Sequence, residues 1–166
     1  MSNVYLIGMM GCGKSTCAGL LGQRLGREVL DTDQEIVRQT GMTVGDVFAQ
    51  CGEAHFRELE TACCKVLAQR KGLVVATGGG LPLREENRRL LRSSGTVVFL
   101  NRDPAEIFAT ADMSGRPLGQ QGKEAFLERF AQRLPLYRAC AHVEITNFRS
   151  VRQTVTEILM KLEGYI

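Results

Sequence analysis

A single glycine-rich segment, residues 8–16 (GMMGCGKST), limits what this chain folds into more than any other feature. It contains a Gly, four further residues and then Gly-Lys-Ser, which is the pattern of a P-loop. The short apolar run 4–7 comes directly before it and predicts a buried strand. Leu20, Leu21 and Leu25 follow it and predict a helix. Because strand, loop and helix come in this order, the segment predicts a phosphate-binding loop.

The residue types of this loop suit the chemistry of phosphate. Glycines let the backbone curl so that N–H groups point inward, and the helix N-terminus adds partial positive charge. We expect Lys14 to reach the β- and γ-phosphates and the Ser15 hydroxyl to be a Mg²⁺ ligand. Cys12, inside the loop, is interpreted as a small filler, with an activated thiol as the alternative.

Composition excludes several classes of function. The 166 residues are enough for one domain, 1–166, with a substantial core. The net charge is +3 and the arginines are spread along the chain, so we expect no nucleic-acid partner. No apolar run is long enough to span a bilayer, and no signal peptide is expected. The six cysteines lack metal-site spacing, so we interpret them as free thiols in a cytoplasmic protein.

Strand-like and helical segments alternate along the chain, which predicts an α/β fold with a parallel sheet. Further strands are predicted at 28–30, 73–76, 97–100 and 142–145. Helices are predicted near 14–25, 34–40, 53–70, 84–92, 104–111, 123–132 and 151–163. Two insertions interrupt the alternation. Residues 32–61 predict a helical substrate-binding insertion, and the glycine-containing segment 111–123 predicts a lid that closes over phosphates.

The predicted second strand ends in Asp31-Thr32-Asp33. Two carboxylates at i and i+2 of an extended segment point the same way. One of them is then expected to hold Mg²⁺ and the other to face a substrate hydroxyl. The alternative is that Asp33 is the N-cap of the helix that follows.

Two arginines have an ambiguous setting. Arg57 shares a helical stripe with Glu53 and Glu60, so it either forms a surface salt bridge or faces a cleft. Arg133 has the same two interpretations. Pro135 is predicted to break the helix just after Arg133 and so to aim its guanidinium into a cleft.

The consecutive Gly78, Gly79 and Gly80 follow a predicted strand. Three glycines in a row cost chain entropy, which indicates either that a ligand approaches the backbone closely or that the chain makes a tight turn.

Together these motifs resemble the shikimate kinase family over nearly the full length of the chain. The motifs that carry the resemblance are the P-loop, Asp31-Thr32-Asp33, Phe56-Arg57-x-x-Glu60, the three glycines, Gly115-Arg116-Pro117-Leu118 and Arg133-x-x-x-Tyr137. The resemblance implies the fold of the nucleoside monophosphate kinases, with five parallel strands in the order 2-3-1-4-5. It also implies ATP-dependent phosphorylation of the 3-hydroxyl of shikimate in aromatic amino-acid biosynthesis.

The same resemblance implies a role for each matching residue. Lys14, Asp33 and Arg116 would be catalytic, and Ser15 and Asp31 would hold Mg²⁺. The ATP-binding residues would be Gly11, Cys12, Gly13, Lys14, Ser15, Thr16, Arg116 and Arg149. The substrate-binding residues would be Asp33, Arg57, Gly78, Gly79, Gly80 and Arg133. The expected partners are shikimate and ATP alone, with the protein acting as a monomer.

Two other functions remain open at this point. Another small-molecule kinase of the same fold, for gluconate or a nucleoside monophosphate, would share the P-loop but has no need for the two arginines and the three glycines together. A nucleotide-dependent binding module without turnover has no need for Asp33 and Arg116.

Overall fold

A parallel sheet forms the centre of the protein. The computed structural model describes residues 1–110, 122–146 and 149–165. The strands in these residues are β1 (Asn3–Ile7), β2 (Glu28–Asp31), β3 (Leu73–Ala76), β4 (Gly95–Leu100) and β5 (Val143–Ile145). All neighbouring pairs are parallel, in the order β2-β3-β1-β4-β5. The predicted five-stranded sheet and its strand order are therefore confirmed.

Helices follow the strands and cover the sheet. They are α1 (Lys14–Leu25), α2 (Thr32–Thr40), α3 (Val44–Ala68), α4 (Glu85–Ser94), α5 (Pro104–Thr110), α6 (Lys123–Cys140) and α7 (Val151–Leu162), with a 3₁₀ turn at Leu81–Leu83. Helix α1 packs on α7, whereas α4 packs on both α3 and α6. Every residue of β1 is buried, as expected for a central strand covered on both faces.

The helical insertion after β2 differs from its prediction in two ways. Helix α2 begins at Thr32, two residues before the predicted start. Helix α3 begins at Val44, where the Thr43 side chain accepts a hydrogen bond from the Asp46 N–H. Gly52, with φ 83° and ψ 165°, divides α3 into two helical parts, of which only the second was predicted. This left-handed φ favours glycine, so the kink is built into the sequence.

The insertion also has a small apolar core of its own. Ile36, Val47 and Phe56 are buried together, apart from the main core around the sheet. The substrate-binding role of residues 32–61 stays a prediction. Most of the predicted lid, residues 111–121, lies outside the described part of the chain.

The predicted break at Pro135 is wrong, because α6 continues from Lys123 to Cys140 with Pro135 inside it. A proline removes one backbone hydrogen bond and costs about 3 kcal/mol inside a helix. Continuing the helix buries Tyr137 and Cys140 completely, which offsets that cost.

Within the described residues, no helix has the length and apolar character needed to cross a membrane.

Candidate active site

The carboxyl ends of the central strands open into a cavity of about 650 Å³. Nineteen residues line it: Met10, Gly11, Gly13, Lys14, Ser15, Thr16, Asp31, Asp33, Gln34, Val44, Phe48, Phe56, Arg57, Glu60, Thr77, Gly78, Gly79, Gly80 and Arg133. The cavity thus gathers the predicted site residues, except Cys12, Arg149 and Arg116. Cys12 is buried within the loop, Arg149 is exposed and does not line the cavity, and Arg116 lies outside the described residues.

The P-loop ends in an uncapped helix. Gly13 is the N-cap of α1 with φ 97°, a left-handed conformation, and no side chain caps the first turn. The first N–H groups of α1 are therefore available to an anion. Lys14 is 8% exposed, and its Nζ donates to the carbonyl oxygens of Gly8 at 2.7 Å and Met9 at 2.8 Å. The loop holds its lysine in place through neutral acceptors.

Cys12 is only 2% exposed. Its sulfur lies 3.8 Å from Lys14 Nζ, within the body of the loop. Burial agrees with the interpretation of Cys12 as a filler, and it argues against an accessible thiol. All six cysteines of the chain are free.

Asp31 joins the P-loop to the helical insertion. Its Oδ2 accepts a hydrogen bond from the Ser15 hydroxyl at 2.7 Å. Its Oδ1 accepts from the backbone N–H groups of Asp33 at 2.9 Å and Gln34 at 3.2 Å. Asp31, and not Asp33, is therefore the N-cap of α2. The predicted cap and the predicted extended i, i+2 pair are both wrong, because the chain is already helical at Asp33.

The glycine triplet, defined as Gly78, Gly79 and Gly80, leaves little room for side chains. None of its three residues has a positive φ, so backbone angles are not the reason for glycine here. A Cβ on Gly78 would lie 2.6 Å from Asp33 Oδ1, and one on Gly80 would lie 2.3 Å from Arg57 Nη1. The predicted tight turn is present, because the Leu81 N–H donates to the Gly78 carbonyl oxygen at 3.1 Å. The groups that approach this backbone in the structure are the protein's own charged side chains, and close approach of a ligand stays a prediction. Any larger residue at these positions would push Asp33 or Arg57 away.

Arg57 belongs to a buried ion pair and not to a surface salt bridge. Its Nη1 donates to Glu60 Oε1 at 2.7 Å, and its Nη2 donates to Glu53 Oε1 at 3.1 Å. Arg57 is 8% exposed and Glu60 is 0% exposed. Burial works to lower the pKa of Arg57, but the two carboxylates outweigh it and hold this pKa above its ordinary value. The guanidinium is therefore a fixed positive charge in the cavity wall.

Glu60 is a site residue to which the sequence assigned no role. Burial raises its pKa to about 7, although the charge of Arg57 opposes this rise. Its Oε2 is buried and has no hydrogen-bond partner among the described residues. The signal in the sequence was its spacing of three from Arg57, which on a helix puts both side chains on one face.

Arg133 supplies the second guanidinium of the cavity. It is 4% exposed, and its Nη1 has no hydrogen-bond partner in the described part of the chain. A Cβ on Gly79 would lie 3.4 Å from this Nη1, so the arginine packs against the triplet. A buried cation with a free donor beside the cavity is suited to an anionic ligand.

Tyr137, one turn after Arg133, is another residue without a predicted role. Its hydroxyl donates to the Gly79 carbonyl oxygen at 2.6 Å. Burial raises the pKa of Tyr137 to about 12, with the charge of Arg133 opposing the rise. The phenol therefore keeps its proton and acts as a donor at neutral pH.

Comparison with known proteins agrees with this geometry. The family model described as shikimate kinase matches residues 10–163. The shikimate kinase of Chromohalobacter salexigens is 42% identical over 165 residues, which cover 97% of this chain and 92% of the relative.

Two solved structures are similar over almost their full lengths. One is a shikimate kinase from Acinetobacter baumannii in complex with shikimate, with a TM-score of 0.91, 40% identity and coverage of 100% of this chain and 96% of that one. The other is a shikimate kinase from Aquifex aeolicus, with a TM-score of 0.85, 35% identity and coverage of 98% and 96%. With sequence, fold and cavity in agreement, this chain belongs to the shikimate kinase family of P-loop phosphotransferases.

Proposed function

We propose that this protein transfers the γ-phosphoryl group of ATP to the 3-hydroxyl of shikimate, as a step of aromatic amino-acid biosynthesis. One observation carries the proposal: a P-loop and two buried arginines, Arg57 and Arg133, line the same cavity. The loop suits a polyphosphate, and the arginines suit a small molecule with a carboxylate. Membership of the shikimate kinase family supplies the identity of that molecule.

The nucleotide end of the site uses the loop residues Gly11 to Thr16. Lys14 Nζ is held by two neutral carbonyl oxygens, those of Gly8 and Met9. Phosphate oxygens are charged and so are stronger acceptors for an ammonium group. Lys14 therefore exchanges the carbonyls for the β- and γ-phosphates when ATP binds. Contact of Arg149 with adenine rests on the sequence resemblance, because Arg149 does not line the cavity.

The residues Ser15 and Asp31 fit Mg²⁺. Their oxygens are 2.7 Å apart at the edge of the P-loop, and both are of the type that Mg²⁺ prefers. The described residues contain no cluster of three or more acidic, His or Cys ligands. This suits an ion that binds through one or two protein oxygens together with phosphates and water. When bound, Mg²⁺ would neutralise charge on the phosphates during transfer.

The end of the site that holds the phosphoryl acceptor, called the acceptor end, binds the carboxylate of shikimate. Arg133 offers a free Nη1, and Arg57 presents a guanidinium that its two glutamates hold in a fixed orientation. Two planar guanidinium groups give this carboxylate both charge and direction. By the family resemblance, Gly79 adds a backbone N–H, and it lies beside Arg133 in the cavity wall.

Asp33 orients or deprotonates the attacking hydroxyl. It is two residues from Asp31, which contacts Ser15, and its carboxylate packs against Gly78. It is therefore placed at the junction of the nucleotide and acceptor ends. Arg116, in the predicted lid 111–123, completes the proposal by stabilising charge on the transferring phosphoryl group. This role rests on the sequence, as Arg116 lies outside the described residues.

The insertion 32–61 serves as the shikimate-binding segment in this proposal, since it carries Asp33 and Arg57. The same proposal has the protein acting as a monomer. Six free cysteines suit a reducing compartment, so we place the enzyme in the cytoplasm.

A coupled assay of ADP release with purified protein tests the proposal. With ATP and Mg²⁺, we expect turnover with shikimate and none with gluconate or nucleoside monophosphates. The variant Lys14→Met should lose turnover, whereas the matched variant Lys71→Met, at an exposed position outside the cavity, should keep it. Faster turnover with gluconate or a nucleotide than with shikimate would contradict the proposal.

A further inference from the structure

The carbonyl oxygens of the glycine triplet are all held by hydrogen bonds. The Gly78 carbonyl accepts from the Leu81 N–H at 3.1 Å, and the Gly80 carbonyl accepts from the Leu83 N–H at 3.1 Å. Both of these donors are local backbone groups. The middle carbonyl, that of Gly79, is held by a side chain from a distant helix, Tyr137 on α6, at 2.6 Å. The Tyr137 hydroxyl is therefore the contact from outside the turn that holds the orientation of the Gly79–Gly80 peptide.

Holding this carbonyl also sets the direction of an N–H group. In a trans peptide, the Gly79 carbonyl and the Gly80 N–H point in opposite directions. Neither the Gly79 N–H nor the Gly80 N–H has an acceptor among the residues that the structure describes. Both glycines line the cavity. Tyr137 thus helps to fix the direction of the N–H group of a cavity-lining residue, Gly80, without lining the cavity itself.

The triplet also lies between the two arginines of the carboxylate site. A Cβ on Gly79 would lie 3.4 Å from Arg133 Nη1, and one on Gly80 would lie 2.4 Å from Arg57 Nη2. The position of this backbone therefore limits where each guanidinium can rest. Arg133 and Tyr137 are four residues apart on α6. One face of this helix therefore carries both the Arg133 guanidinium and the hydroxyl that holds the Gly79 carbonyl.

We propose that Tyr137 is a positioning residue for the substrate carboxylate: its hydroxyl holds the Gly79–Gly80 peptide in the orientation that the arginines and the bound acid require. This inference rests on the proposed function, because it needs shikimate as the ligand. The phenol is completely buried, and its ring packs on Phe99 with centroids 5.0 Å apart. Removing the oxygen alone leaves this packing in place, so the hydroxyl can be tested separately from the ring.

The test is Tyr137→Phe, with Tyr5→Phe as a matched control. Tyr5 is also completely buried, and its hydroxyl bonds to Ser94 and Asn3, outside the cavity. In steady-state kinetics, Tyr137→Phe should raise the KM for shikimate about five- to tenfold, the effect of losing roughly one hydrogen bond. The KM for ATP and kcat should stay within about twofold of the wild type. Tyr5→Phe should lower the melting temperature without moving either KM.

Discrimination between shikimate and its carboxamide gives a second readout, because a purely structural role would leave this ratio unchanged. The ratio of their Kd values should fall in Tyr137→Phe and stay at the wild-type value in Tyr5→Phe. An unchanged KM and an unchanged ratio in Tyr137→Phe would overturn the inference, and so would failure of this variant to fold. Wild-type protein that does not use shikimate at all would instead contradict the proposed function.

Discussion

Replacing Arg133 by methionine removes one of the two cations that we assign to the substrate carboxylate. Arg133 is 4% exposed and its Nη1 has no partner within the described residues, so its desolvation cost is present before substrate binds. Substrate binding recovers that cost through a close charge pair. Truncating one partner of such a pair weakens the free energy of binding by about 2–5 kcal/mol. Because Arg57 still holds the carboxylate, we expect about 3 kcal/mol, or on the order of 100-fold in Kd.

Isothermal titration with shikimate, in the absence of nucleotide, measures this loss directly. ATP affinity should change less than about twofold, because Lys14 and the N-terminus of α1 bind the phosphates independently of Arg133. The matched control is Arg138→Met, on the same helix but exposed and paired with Glu144. It should bind shikimate as the wild type does. A Kd for Arg133→Met within about threefold of the wild type would refute the reasoning, and so would wild-type protein that binds the carboxamide as tightly as the acid.

Other predictions follow from the neighbouring contacts. Arg57→Met should lower the free energy of unfolding, measured by denaturation, by about 3–5 kcal/mol, because it leaves Glu60 buried without a cation. Adding Glu60→Gln to this variant should restore most of the stability. It should not restore shikimate binding, measured by titration. The pKa of Glu60 is about 7 in the folded protein against 4.5 in the unfolded chain, so the folded state binds more protons between these values. Stability should therefore fall as pH rises from about 5 to 7, by at most about 3 kcal/mol, and denaturation of Glu60→Gln should not show this fall. Asp33→Asn should lower kcat at least about 100-fold with a melting temperature within a few degrees of the wild type, because Asp31 and not Asp33 caps α2. Asp31→Asn keeps the cap but loses charge beside Ser15, so it should raise the Mg²⁺ concentration needed for half-maximal rate, with little change in stability.

The sheet could be predicted because its signals are local. The apolar run before Gly8 and the run 73–76 have the composition of buried strands, and parallel strands need helical crossovers between them. The order of the strands came from the family resemblance, since no single run of residues contains it. The helix start at Val44 was missed because its signals, a Thr cap and a later Gly kink, interrupt the apolar pattern.

The errors at Asp31 and Pro135 have a common cause. In both places a local rule competed with contacts from distant residues. Asp31 becomes the cap because its second oxygen is held by Ser15, 16 residues away in sequence. Helix α6 continues through Pro135 because the residues after it are completely buried in the core. The local propensities of single residues give no information about such distant contacts.

The roles of Glu60 and Tyr137 could not be assigned from the sequence. Each stands at helical spacing from a predicted arginine, which is also the spacing of ordinary surface pairs. Only the fold shows that Glu60 is buried beside Arg57 and that Tyr137 reaches Gly79 on another element. The glycine triplet was easier to interpret, because three successive glycines are costly unless something approaches them.

The product of the reaction tests the central claim most directly. Purified protein is incubated with ATP, Mg²⁺ and shikimate, and the product is examined by ³¹P NMR with coupling to the ring protons. We predict one new phosphate resonance coupled to the proton on carbon 3, formed in equal amount with ADP and absent with Lys14→Met. Phosphate on another hydroxyl, or ADP formed at the same rate without shikimate, would contradict the assignment of this cavity to phosphoryl transfer onto the 3-hydroxyl of shikimate.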